Sequence, residues 1–83
     1  MNYFVIVDVT LRKGIADPEG STIERALPAL GFTGVTNVHA GKSFRFDVAA
    51  DDEGAALEKA TSLAERLLSN PVIEDAWARI GER

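Results

Sequence analysis

Apolar and polar positions alternate at period two from Tyr3 to Leu11. Tyr3, Val5, Val7, Val9 and Leu11 share one face, and Phe4, Ile6, Asp8, Thr10 and Arg12 share the other. The first face is wholly apolar and predicts a strand packed under helices. The second starts apolar and turns polar, which suggests a contact with another chain. After the loop Lys13-Gly14-Ile15-Ala16 the period changes: Ile23, Ala26, Leu27 and Leu30 fall at i, i+3, i+4 and i+7, a helical stripe. Two starts are legible for that helix. Asp17-Pro18 offers an N-cap acid with proline at the first helical position, and Ser21-Thr22-Ile23-Glu24 has capping-box spacing. Gly31 suits the left-handed position after the helix, with Phe32 placed to fold back on it. Pro28 removes a helical hydrogen bond and crowds the preceding turn, which predicts a kink or a division there.

Val35 to Ala49 reads as two strands, with Gly41-Lys42 where a hairpin turn or bulge is wanted. Phe44, Phe46 and Val48 alternate with Arg45 and Asp47, whereas Val35 and Val38 are out of phase. Asp51-Asp52-Glu53 caps a second helix. Its predicted buried face is Ala56, Leu57, Ala60, Leu63, Ala64, Leu67 and Leu68, and Asn70-Pro71 stops it. Val72 to Ile80 completes the pattern as a last strand carrying Trp77. The order is βαββαβ, an α+β class with two layers: a ferredoxin-like antiparallel sheet with two helices on one face, one domain over residues 1–83.

A chain of 83 residues buries little surface and has no Cys and a single His, so disulfides are excluded and a structural zinc site is not supported. Self-association is the remaining supplement to a small core. The formal net charge is −4. Residues 1–50 balance, with Arg12, Lys13, Arg25, Lys42 and Arg45 against Asp8, Asp17, Glu19, Glu24 and Asp47, and the excess acid follows. No basic stripe is present to meet a phosphate backbone, so no nucleic acid is expected as a partner. No apolar run approaches the ~20 residues of a bilayer span, and the first residues lack a basic leader. No membrane association and a cytoplasmic location are the expectations.

Candidate chemistry is sparse. His39 has no second ligand or base beside it, and Ser21, Ser43, Ser62 and Ser69 lie outside any nucleophile-elbow pattern. Gly41-Lys42-Ser43 has the tail of a phosphate-binding loop without its first glycine, and a strand follows instead of a helix. Asp51-Asp52 and Glu74-Asp75 could attract Mg²⁺, but the first belongs to a helix cap. Phe44-Arg45-Phe46 resembles the aromatic pair of an RNA-recognition motif, with its flanking Lys and Gly reversed and Asp47 beside it.

Three short segments remain: Asp17-Pro18-Glu19-Gly20, Gly41-Lys42, and Asn70-Pro71-Val72-Ile73-Glu74-Asp75. With Leu11, Gly14, Ala26-Leu27, Leu30-Gly31-Phe32, Val35, Val38 and Leu67-Leu68, their order and spacing resemble the PurS family, the small subunit of phosphoribosylformylglycinamidine synthase (FGAM synthase). His39, Ala76 and Pro28 depart from the family pattern. The resemblance implies a noncatalytic structural and assembly subunit in a glutamine- and ATP-dependent ligase complex of purine biosynthesis. That complex converts formylglycinamide ribonucleotide to formylglycinamidine ribonucleotide. Implied partners are a second copy of the chain (dimer or tetramer), a large synthetase subunit (PurL type) and a glutaminase subunit (PurQ type). No catalytic, cofactor or metal residue is implied for this chain; ATP and Mg²⁺ belong to the synthetase subunit. Candidate subunit-interface residues are Arg12, Lys13, Asp17, Glu19, Gly41, Lys42, Asn70, Glu74 and Asp75. The alternative is a ferredoxin-like regulatory domain binding a small ligand at a dimer interface. An acylphosphatase-type enzyme is less well matched, because Lys13-Gly14-Ile15-Ala16 is not that family's phosphate-cradling loop.

Overall fold

In the computed structural model, which describes residues 1–82, the first strand β1 spans Asn2–Leu11 and is the centre of the sheet. The second, β2 (Gly41–Ala49), and the third, β3 (Glu74–Ile80), both pair with it antiparallel, giving the order β2-β1-β3. Opposed pairs on one face are Val5 with Phe46 and Ile80, and Val7 with Phe44 and Ala78. Val9 on the same face opposes Ala76. The α+β class and the ferredoxin-like plan stand, with three strands in place of four.

The missing strand is the one expected over 35–40. That segment has no regular structure, and its N–H groups turn elsewhere: Val38 donates to the Glu24 carboxylate at 2.9 Å and Ala40 to the Asp17 carboxylate at 2.8 Å. Positive φ at Gly34 (79°) and Asn37 (57°) also breaks an extended run. Gly41-Lys42 is therefore not a turn. Gly41 opens β2 opposite Thr10, and a Cβ there would lie 2.7 Å from the Val9 carbonyl oxygen.

The first helix α1 spans Pro18–Ala26 and starts at the Asp17-Pro18 signal. Pro28 divides it: a 3-10 turn, Pro28–Leu30, follows. Gly31 at φ 87° ends that turn, with Gly31 N–H donating to Pro28 and Phe32 N–H to Leu27, both bonds of a Schellman motif. Phe32, expected to fold back on the helix, stays 57% exposed.

The second helix α2 (Glu53–Leu63) is capped by Asp52, whose carboxylate accepts from Ala55 N–H at 2.8 Å. Its final turn, Ala64–Leu68, widens to i→i+5 bonding and closes on Ser69, whose N–H and hydroxyl both donate to the Ala64 carbonyl. The wide turn shifts the apolar phase. Leu68 takes the inward position and Leu67, expected inside, is 75% exposed. The last strand begins at Glu74 because 71–73 form a turn.

Packing is concentrated at one place. Val5, Val7 and Val9 are buried beneath Ala56, Ala60 and Ala64 of the second helix and its final turn. Each valine contributes roughly 1.5–3 kcal/mol. Alanines every four residues let the helix approach closely, and Ala76 and Ala78 keep the β3 side low. Among the described residues no helix is long and apolar enough to cross a membrane.

A core set by alanine spacing has no room for a larger side chain. Ala60→Leu is expected to lower stability by roughly 1–3 kcal/mol. Urea denaturation reads this, and an unchanged midpoint would refute close packing at that contact.

Candidate functional site

Because the sheet is antiparallel, the end of β1 and the beginnings of β2 and β3 lie at one end of the domain. The nine candidate interface residues belong to that end. Arg12, Lys13, Asp17, Glu19, Gly41, Lys42, Asn70, Glu74 and Asp75 line, or are bonded to residues that line, three adjoining clefts.

Glu74 holds the end together. One carboxylate oxygen accepts from Asn70 N–H at 2.7 Å, and the other lies 3.6 Å from Lys42 Nζ. Its N–H donates to the Asn70 carbonyl, and its own carbonyl accepts from Arg12 Nε. Arg12 Nε also lies 3.3 Å from Asp75. One residue thus joins all three strands, and its side chain is only 11% exposed. The sequence marked Glu74 as a surface candidate. Its structural role was not legible there, because Lys42 and Arg12 are distant along the chain.

Asp17 holds the second group. One oxygen accepts from Gly20 N–H at 2.9 Å, capping α1, and the other from Ala40 N–H at 2.8 Å. His39 Nδ1 stands 3.7 Å away. The N–H groups of Gly20 and then Ala40 hold the Asp17 carboxyl below its ordinary value; burial opposes them and His39 assists. Gly20 is required at this contact, since a Cβ would lie 2.4 Å from the Val38 carbonyl oxygen. Glu24, which sequence reasoning missed, fixes the same 38–40 segment through Val38. Its only sequence signal was the capping-box spacing, which the structure does not use at Ser21.

Between these groups lies a cleft of about 420 Å³, with Val9, Leu11 and Pro18 as apolar lining and Glu19, Lys42 and Glu74 as polar lining. A neighbouring cleft of about 520 Å³ is bounded by Arg12, Lys13, Ile15, Asp17 and His39. Glu74 and Asp75 are consecutive on a strand, so their side chains leave opposite faces and do not converge on one cation. Asp52 is occupied as a helix cap. Among the described residues no group of three His, Asp or Glu is placed to hold a metal ion. His39 faces the Asp17 carboxylate.

These features define a small ferredoxin-like domain whose charged groups are gathered at one end and mostly committed to one another. The family model for PurS, phosphoribosylformylglycinamidine (FGAM) synthase, matches residues 4–82. A FGAM synthase subunit PurS from Mycobacterium leprae is 43% identical over 72 residues, covering 84% of this chain and 85% of that protein. The crystal structure of the PurS subunit from Thermotoga maritima superposes with a TM-score of 0.90 at 33% identity, covering 98% of this chain and 93% of that one. A chain in the structure of PurLQS from Thermotoga maritima superposes with a TM-score of 0.89 at 33% identity, covering 98% and 99%. The chain belongs to the PurS family of FGAM synthase.

A carboxyl group held below its ordinary value adds stability that is present above the unfolded-state value, about 4, and lost as pH falls through the lower folded-state value. The wild type is therefore expected to weaken below about pH 4, and Asp17→Asn to show a shallower acid loss. Urea midpoints across that range check this; parallel curves would remove Asp17 from the acid limb.

Proposed function

We propose that this chain is the noncatalytic assembly subunit of an FGAM synthase complex in de novo purine biosynthesis, joining a PurL-type synthetase to a PurQ-type glutaminase in the cytoplasm. The observation that carries the reading is the family match over residues 4–82, on a fold shared with a chain of the PurLQS structure. The site's chemistry supports it. Arg12, Lys42, Asp17, Glu74 and Asp75 are paired within the chain, so their contribution is a rigid, charged end rather than a reactive group.

The physical task is sequestration. The glutaminase releases ammonia, which in neutral water is mostly protonated and loses its nucleophilic lone pair. Transfer without exposure to water keeps the reactive form. A small subunit serves this by holding the two larger ones in fixed geometry. ATP and Mg²⁺ are used by the synthetase, and this chain supplies no cofactor ligand of its own.

Lys42 is a poorer probe of assembly than its sequence position suggests. Reversing its charge sets a second carboxylate beside Glu74, so the sheet end changes together with any subunit contact. Lys13, exposed on the rim of the larger cleft, is the cleaner site. Lys13→Glu should leave the circular dichroism spectrum and melting temperature unchanged while reducing co-elution with the synthetase; full co-elution would take Lys13 out of the contact.

The deciding experiment compares product formation by the synthetase and glutaminase with and without this chain. Glutamine-dependent synthesis is expected to fall at least about tenfold without it, with synthesis from added ammonium salt little changed, corresponding to about 1.4 kcal/mol of barrier. Glutamine-dependent synthesis at full rate in its absence would end the assembly reading.

A further inference from the structure

The sheet ends on an open edge at β3, which has β1 on one side and no strand on the other. Two contacts assign its backbone groups: Gly81 N–H donates to the Phe4 carbonyl, and Arg12 N–H donates to the Ile73 carbonyl. Antiparallel pairing alternates bonded and non-bonded pairs along the register. Asp75, Trp77 and Arg79 therefore bond to β1, while Ala76, Ala78 and Ile80 turn their N–H and C=O groups away from it. Natural edges of this kind are commonly guarded by proline, lysine or a bulge. Glu74–Ile80 contains neither proline nor lysine and pairs without a break in register. Arg79 is no guard either, since its guanidinium is bonded to Asp8 on the neighbouring strand.

The surface beside this edge is less committed than the rest of the sheet end. Trp77, opposite Asp8 on the sheet face away from the helices, is 55% exposed. Leu67 on the wide turn and Val72 after it are also left in water. A cleft of about 500 Å³ runs between these features, with Glu65, Ser69, Pro71, Ala76 and Trp77 in its lining. Arg12 and Asp75, which border the same cleft, are paired with each other. The Glu65 carboxylate has no hydrogen-bond or ion-pair partner among the described residues. One cleft thus offers an open row of backbone groups, an indole face and an unpaired carboxylate.

We infer that β3 takes up an extended segment of a partner protein as an added strand, paired at Ala76 and Ala78, with a Lys or Arg of that segment seated between Trp77 and Glu65. The inference gives the assembly role proposed above a surface and rests on that role for its biological use. Main-chain pairing supplies affinity in strand addition, and the side-chain pocket supplies selectivity. The pocket selects a cation: the stem of a basic side chain lies on the indole and its charge meets the carboxylate. Charge also identifies the occupant as a different protein. Residues 51–83 carry eight acids and four bases, so a basic segment is attracted here, whereas the β3 side of a second copy brings the same acidic excess.

Trp77 is the one tryptophan of the chain, so protein labelled with 5-fluorotryptophan gives a single fluorine resonance. Adding unlabelled synthetase and glutaminase is expected to move it. An unmoved resonance overturns the inference, and an equal shift on concentrating this chain alone assigns the edge to a second copy and overturns it as well. Ala78 supplies the second reading. Its N–H points away from β1, so proline there removes no bond of the sheet but blocks an added strand. Ala78→Pro is expected to keep the circular dichroism spectrum and to weaken association with the larger subunits at least about tenfold. Should that variant fail to fold, Glu65→Arg on the exposed turn takes its place, with association weakened at least about threefold. Unchanged association in the folded variant overturns the inference. The assembly role is read separately: glutamine-dependent synthesis that still requires this chain while the resonance stays fixed removes the edge contact alone. Synthesis indifferent to the chain while the resonance moves removes the assembly role alone.

Discussion

Ala56, Ala60 and Ala64 allow the second helix to lie so close to the central strand that Val5, Val7 and Val9 lose almost all contact with water. The rest of the molecule is arranged around this contact. It fixes which face of β1 is inward, and antiparallel pairing then sets the inward residues of both neighbouring strands. It is also narrow. A seam of small side chains packs well but covers only a strip, so larger apolar residues to either side remain partly open. The same spacing that makes the core tight makes it incomplete.

What could be read in advance follows the range of the interactions. The Asp17 and Asp52 caps use an acceptor and a donor three residues apart, and the Pro28 division with the Gly31 reversal is also local. All were legible. The strand alternation in β1 was legible because both faces repeat at one period. The irregular path of 35–40 was not, since the groups that capture its N–H donors lie 14 and 23 residues away. The out-of-phase spacing of Val35 and Val38 marked an irregular strand entry without showing that the whole segment leaves the sheet. Leu67 was misplaced because an i→i+5 turn has no local marker in Ala64-Glu65-Arg66-Leu67-Leu68. At the candidate site, the three segments that carry the family resemblance were visible as short polar motifs. That they meet at one sheet end, and that Glu74 binds them, depended on strand order.

The two carboxylate clamps have different consequences. Glu74 ties the beginnings of β2 and β3 to the end of β1, making the sheet end rigid. Asp17, with Glu24, ties the crossover arm to itself and leaves its orientation to the root between Leu11 and Gly41. Rigid root and rigid arm together hold an apolar surface out from the domain instead of letting it collapse. Among the described residues no buried side-chain N or O lacks a partner, so this shape is not maintained at the expense of unsatisfied polar groups.

Such an architecture suits a subunit whose contribution is position. A catalytic group must be free to exchange protons or attack a carbon, and most charged side chains gathered here are already engaged. Charge also divides the chain. The balanced half supplies β1, the crossover arm and β2. The acidic half supplies the outer surface of the second helix, turned toward solvent, where repulsion favours solubility over further stacking.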